Sequence, residues 1–359
     1  MPALLYRPDW LSARDRLTTW WNGGDLGRAA MQISAPAPAP WEDLPALPEP
    51  AGWVTDYSTS DLEYHVQVRL RRAAAVLCLG EGVPYVNPGD LAPNCLALYL
   101  GCRGVESPGT CWCEPCLFET APPDFRYDPD NFYWRFTQEA IARTLELARG
   151  KVLIQFPDLI EGLDTLAALR GTDAFLFDLV ERPEWVQACL RQITDRYFHY
   201  YDLLYDSVRD EVGGSVFWVW APGRCAKFQC DFSAMISPAM FREFMVPVLA
   251  EMTARVSYSL YHLDGPEATC HVPALLSLPD LDMIQWTSGT NKLPTMHPQW
   301  FPMYHQIFEA GKKMLLSVDA ADLPALKVEF GAQTKQMLIN VSVPDSSAAE
   351  EVLRLMELD

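Results

Sequence analysis

Along the second half of the chain, short apolar runs alternate with longer amphipathic ones. Val152 to Phe156, Ser215 to Trp220, Ser257 to His262 and residues 282–286, 313–317 and 336–340 each read as a strand. Their nearly continuous apolar character is that of parallel strands covered on both faces. Between them, apolar residues recur at helical spacing over about 163–180, 183–209, 237–256, 266–277 and 299–311, and again from Ser347, where Glu350 sits as capping partner. Pro183 and Pro238 suit first helical turns.

The first half is less regular. Residues 10–22 form an amphipathic pattern, and Ala29 to Ile33 is a short apolar run that would be the first strand. Residues 34–58, rich in Pro, Ala and Trp, read as an ordered excursion, because tryptophans need somewhere to bury. Ser60-Asp-Leu-Glu63 is a capping box for a helix running to about Leu79, and Val83 to Asn87 is a second strand. Residues 88–130 are irregular, and Asn131 to Ala148 is a helix closed by Gly150. The tally is eight strands, at 29–33, 83–87, 152–156, 215–220, 257–262, 282–286, 313–317 and 336–340, with helices between most of them. It predicts an α/β fold, a (β/α)8 TIM barrel formed by residues 1–359 as one domain, with insertions in 1–130. The competing doubly wound sheet would carry a glycine-rich phosphate loop after a strand, and neither G-x-G-x-x-G nor G-x-x-x-x-G-K occurs.

Composition narrows the function. A net charge of -19 over 359 residues repels nucleic acid and anionic lipid, so the expected ligand is a small molecule. No apolar run is long enough to span a bilayer. The N-terminal residues lack the basic-then-apolar pattern of an export signal, and ten cysteines then read as reduced thiols of a cytoplasmic protein.

In a barrel, strand C-termini converge on one mouth, where catalysis sits. The predicted ends read Pro157-Asp158, Trp220-Ala-Pro-Gly-Arg224, His262-Leu-Asp264-Gly265, Trp286-Thr-Ser288-Gly289, Val318-Asp319 and Asn340-Val-Ser342. His262 and Asp264 are two apart at a strand end, so an extended backbone puts both on one face. They read as an acid/base pair or as two ligands of a metal such as zinc; the alternative is a hydrogen bond closing a turn. Around them the expected pocket has Trp218, Trp220, Tyr261 and Trp286 as walls, with Arg224 as carboxylate clamp and Asp158, Ser233 and Gln285 as further contacts. Asp231 is a second catalytic carboxylate, or only a helix cap. Cys111-Trp-Cys113-Glu-Pro-Cys116, with Cys102 nearby, lacks the paired C-x-x-C spacing of a zinc site and reads as free thiols.

Three segments resemble the uroporphyrinogen decarboxylase superfamily. They are Asp158-Leu-Ile-Glu-Gly-Leu-Asp164-Thr-Leu-Ala-Ala-Leu-Arg170-Gly171, Cys230-Asp231-Phe-Ser233 through Ser237-Pro238, Phe241 and Pro247, and Tyr261-His-Leu-Asp-Gly265. The likeness covers roughly residues 130 to 357. It implies a TIM barrel with its site at the C-terminal mouth, substrate contacts in the loop of Asp231 and Ser233, and a homodimer. The departures are specific. Where the decarboxylases carry an arginine-bearing Met-Arg-Gln-Ala-Gly-Arg segment, this chain has Trp20-Trp21-Asn-Gly-Gly-Asp-Leu-Gly-Arg28, and the late His-Gly pair is replaced by Asn340-Val341. The family's thiol methyltransferases hold zinc with His-x-Cys and a distant Cys, whereas this chain has His262-x-Asp264. The expectation is a methyltransferase exchanging a methyl group with methylcobalamin on a partner corrinoid protein. The alternatives are a decarboxylase of a small or porphyrin-like carboxylic acid, with Asp231 or Asp264 stabilising a developing cation, and a non-catalytic binding protein on the same barrel.

Overall fold

The computed structural model describes residues 3–358 except 51, 53, 90, 92, 108, 120, 122, 123, 290 and 291. In chain order the elements are α1 (Trp10–Trp21), β1 (Ala30–Pro36), α2 (Leu62–Ala74), β2 (Val76–Gly80), β3 (Tyr85–Val86), α3 (Cys95–Tyr99), β4 (Arg103–Ser107), β5 (Thr110–Glu114) and α4 (Phe132–Ala148). Then come β6 (Leu153–Ile154), α5 (Gly162–Arg170), α6 (Thr172–Glu181), α7 (Pro183–Val208), β7 (Ser215–Phe217), β8 (Val219–Ala221), β9 (Cys225–Gln229), α8 (Pro238–Met240) and α9 (Val246–Ala254). The chain closes with β10 (Tyr258–Asp264), α10 (Val272–Leu276), β11 (Met283–Thr287), α11 (Phe301–Glu309), β12 (Lys313–Ser317), α12 (Leu323–Phe330), β13 (Met337–Ser342) and α13 (Ser346–Leu355).

Seven strands form one sheet in the order β2-β1-β13-β12-β11-β10-β9, parallel except for β2. β3 and β6 form a separate parallel pair, and Gln155 bridges in parallel to Val216 of the β7–β8 hairpin. Alternate residues of each strand face opposite sides. On one side Met31, Phe228, Tyr261, Ile284, Trp286, Leu316 and Ile339 join the large core beneath the helices. On the other, Ala30, Cys225, Leu260, Met283, Leu315 and Leu338 form a second apolar cluster with Trp10, Trp20, Trp21 and Trp220. These tryptophans make a floor below the strand N-termini: Trp10 meets Trp220 edge to face at 5.6 Å, and Trp21 Nε1 donates to the Trp220 carbonyl at 2.9 Å. Further along the same inner face the side chains turn polar, from Gln32, Lys227, His262, Gln285 and Asn340 onward.

The sequence pattern misplaces one strand. Ser215–Trp220 is the more apolar run, but it folds into the short β7–β8 hairpin, and the member of the main sheet is Cys225–Gln229. The capping-box helix also ends early, at Ala74, and the next residues turn back as β2 against β1. Gly80 at the end of β2 has φ +59, and a Cβ there would lie 2.4 Å from the Met31 carbonyl, so this close approach requires glycine. The predicted helix over 163–180 breaks into α5 and α6 at Gly171, and the irregular 88–130 region contains the antiparallel β4–β5 hairpin. No helix among the described residues is long and apolar enough to cross a membrane.

His65 on α2 is 1% exposed, with Nε2 3.0 Å from the Pro88 carbonyl. Burial, then the nearby Arg69 charge, push its pKa from 6.5 down to about 3. The unfolded chain therefore binds this proton first, so the contribution is complete above 6.5 and is lost as pH falls from there toward 3. The expected cost approaches ~1.4 kcal/mol per pH unit in that window. Urea unfolding on both sides of it should show the slope in the native chain, and a shallower one in His65→Gln.

Candidate functional site

β10 is extended through Asp264, so His262 and Asp264 share the inner face, as the spacing predicts. Asp231 follows β9 directly. One donor atom from each of Asp231, His262 and Asp264 lies within 4.8 Å of the others. Two carboxylates and an imidazole thus converge beyond the strand ends, Asp231 and Asp264 exposed and His262 half-buried.

The groups behind them fix their orientation. His262 Nδ1 bonds to Gln285 Oε1, while Gln285 Nε2 donates to Thr287 Oγ1 at 2.9 Å. Gln285 therefore presents a carbonyl to the imidazole, which puts the proton on Nδ1 and leaves the Nε2 lone pair free to act as ligand or base. The indole of Trp218 meets the His262 ring edge to face at 5.4 Å. Trp218 itself holds φ +58, and two inner-face glutamines secure that backbone: its N–H donates to Gln155 Oε1 at 2.8 Å, and its carbonyl accepts from Gln32 Nε2 at 3.0 Å. A left-handed tryptophan fixed on both sides is a strained conformation, and such positions gather at working sites.

Asp231 is positioned from β9. Lys227, Gln229 and Asp231 are two apart and form a chain: Lys227 Nζ contacts Asp158 at 2.7 Å and also Gln229 Oε1, and Gln229 Nε2 donates to Asp231 Oδ2 at 3.0 Å. Lys227 is fully buried, with Phe217 and Trp218 rings 5.4 and 5.7 Å from Nζ. Along the open side of β9, carboxylates stand where a neighbouring strand would. Glu161 Oε1 accepts from the Gln229 N–H at 2.8 Å, and Asp164 accepts from the N–H groups of Asp231 and Phe232, both at 2.8 Å. Burial pushes the Glu161 carboxyl well above its ordinary range, and burial followed by the Asp231 charge pushes Asp164 up to about 6. Asp231 is also raised: desolvation outweighs the opposing His262 and Lys227 charges, and Asp264 and Asp158 add to it. A carboxyl raised mainly by desolvation ionises more readily when a cation lies beside it.

Beside this cluster lies a cavity of about 890 Å³ lined by Gln32, Trp218, His262, Gln285, Ser317 and Asn340, among others. Its lining mixes amides, hydroxyls and an indole with apolar residues such as Ile33, Val83, Met296 and Leu315, and includes the carboxylates of Asp319 and Asp322. Among the described residues lining it, Lys292 is the single lysine or arginine, and it pairs with Glu267 at 3.0 Å.

Several expected site residues lie elsewhere. Arg224 precedes β9, at the N-terminal end of the sheet, where it pairs with Asp202 and stacks on Tyr201 and Tyr205; it cannot clamp a ligand at the opposite end. Trp220 is part of the floor, with Nε1 donating to Asp210 at 2.8 Å. Both errors follow from taking 215–220 as the sheet strand. Tyr261 and Trp286, each 1% exposed, alternate with the inner-face residues of their strands and so face the helices. Ser233 is likewise 1% exposed, its carbonyl accepting from His271 and its hydroxyl sealed from the cavity. Asp158 is the counter-charge of Lys227 and does not line the cavity. Lys227, Gln229 and Gln32 were missed; the polar alternation of Cys225-Ala-Lys-Phe-Gln229 was the available signal for the first two.

Neither the models of known protein families nor the curated proteins match this chain.

Proposed function

We propose that Asp231, His262 and Asp264 form a divalent-metal centre, and that the chain is an enzyme of the uroporphyrinogen decarboxylase superfamily. The observation that carries this reading is the convergence of three donors within 4.8 Å, with Asp231 as the third ligand that the His262-x-Asp264 spacing alone lacked. Three protein ligands and an open position are the arrangement of catalytic zinc sites. The Gln285 carbonyl behind His262 is the outer support such ligands use. Two carboxylates make the set harder than a thiolate site, which suits an oxygen- or nitrogen-bearing substrate better than a thiol. The metal would supply Lewis-acid polarisation of that substrate.

The main sheet and the β3–β6 pair are read as arcs of one (β/α)8 barrel. Supporting this, the cavity takes lining from β1, from Tyr85 of β3 and from β10 through β13. The inner apolar cluster also includes Leu153 of β6 and Val216 of β7, as well as main-sheet residues. Across the gap between β6 and β9 the contacts are side chains, Lys227 to Asp158 and Glu161 to the Gln229 N–H.

The reaction that fits best is methyl transfer with a corrinoid on a partner protein, at a metal-lined mouth where Gln32, Gln285 and Asn340 hold a neutral polar acceptor. Decarboxylation of a polyacid is poorly served, because Lys292 is already paired and Arg224 is at the far end. The test is metal analysis of purified protein followed by methylcobalamin exchange read from the cobalamin spectrum. Close to one metal per chain and a spectral change with hydroxyl or amine acceptors are expected. Less than about a tenth of an equivalent, unchanged on adding zinc, removes the metal centre. Ligand binding without any spectral change leaves a binding protein.

A further inference from the structure

Cys102, Cys113 and Cys116 form a second reactive cluster, which does not line the cavity. Cys102 lies just beyond α3 and is 2% exposed, while Cys116 follows β5 and is exposed. Their sulfurs are 3.8 Å apart, and Cys113 on β5 also contacts Cys102. Backbone bonds hold both ends of this approach: the Cys102 N–H donates to the Ala97 carbonyl at 3.0 Å, and those of Cys116 and Leu117 donate to Leu169 at 2.9 and 2.8 Å. A disulfide needs a sulfur separation of ~2.05 Å. Cys116 is the exposed partner, so closing that gap asks most of its side chain.

We infer that Cys102 and Cys116 form a dithiol site that exchanges with low-molecular-weight disulfides, with Cys113 as proton acceptor. The exposed Cys116 thiolate attacks one sulfur of the small disulfide, forming a mixed disulfide and releasing one small thiolate. Cys102 then passes its proton to Cys113 and attacks Cys116 Sγ; the second small thiolate leaves. Two protein thiols are oxidised to one disulfide, and the small disulfide is reduced to two thiols. The hydrogen bonds from Cys102 hold the Cys113 and Cys116 thiols below their ordinary range, which favours the attacking thiolate, and hold Cys102 itself above it. The product would clasp the base of the β4–β5 hairpin, since residues 103–114 lie between the two cysteines. This inference is independent of the metal centre.

The native protein is incubated with oxidised glutathione and mapped by peptide mass. Expected are a Cys102–Cys116 cross-link with loss of two hydrogens, and a plain glutathione adduct on the exposed, isolated Cys270. Cys102→Ser should trap glutathione on Cys116, and Cys116→Ser should leave Cys102 unmodified. A stable adduct on Cys116 in the native sequence, or no reaction there while Cys270 reacts, overturns the proposal. So does a bound metal ion that protects all three thiols and is lost in Cys116→Ser.

Discussion

His262→Ala is expected to abolish metal binding at the proposed centre while leaving the fold intact. The imidazole supplies one of three converging donors, so its loss leaves two carboxylates, too few to hold the proposed metal. Removing an outer support of a metal ligand already costs about 10–100-fold in affinity, so losing the ligand itself should cost more than that. Metal content should fall from near one per chain to a small fraction, with any methyl exchange falling in step. His262 is half-buried on a polar cavity wall, so the melting temperature should hardly move. Gln285→Leu should show the weaker version, keeping all three donors but freeing the imidazole from its fixed tautomer. Metal content and melting curves measured side by side check this. A His262→Ala protein that melts much earlier yet still holds metal would reduce His262 to a structural hydrogen bond.

Lys227→Met is expected to give the largest loss of stability. This ammonium is fully buried, pairs with Asp158 and acts on the carboxyls of Glu161 and Asp231. Methionine fills a similar volume beside Phe217 and Trp218 but removes the 2.7 Å ion pair to Asp158 from a buried, carboxylate-rich setting. Breaking one side of a buried pair costs about 3–5 kcal/mol, which for a chain of this size lowers the melting temperature by the order of 10 °C. Adding Asp158→Asn should restore part of the loss, because it removes one of the negative charges that Lys227 balanced. Denaturant unfolding of the single and double variants measures both effects. A loss below about 1 kcal/mol would mean that water reaches Lys227.

The alternation of apolar strands and amphipathic helices from Val152 onward was legible because buried parallel strands repeat one simple pattern. His262 and Asp264 were legible for the same reason, since strand periodicity alone decides that they share a face. What failed was the choice between two adjacent candidates, Ser215–Trp220 and Cys225–Gln229. Hydrophobicity favours the first, but the tryptophan floor consumes it, and the second is a sheet strand whose inner-face polar residues position Asp231 of the candidate site. That single exchange carried Arg224 and Trp220 to the wrong end and hid Lys227. Tyr261 and Trp286 failed differently: they sit near strand ends, but their parity assigns them to the helix side. Asp231 was legible as a residue and not as a ligand, since only the fold sets a β9 loop beside the end of β10.

The carboxylates bonded to the N–H groups of Gln229, Asp231 and Phe232 have a consequence for behaviour in a crowded solution. The last strand of a sheet normally invites another molecule to add on, which is the first step toward fibres. Here an arriving peptide would find these donors already taken by two acids of the same chain, of which Glu161 is fully buried. The flank is thereby closed to self-association by the first turn of α5 and the residue that precedes it.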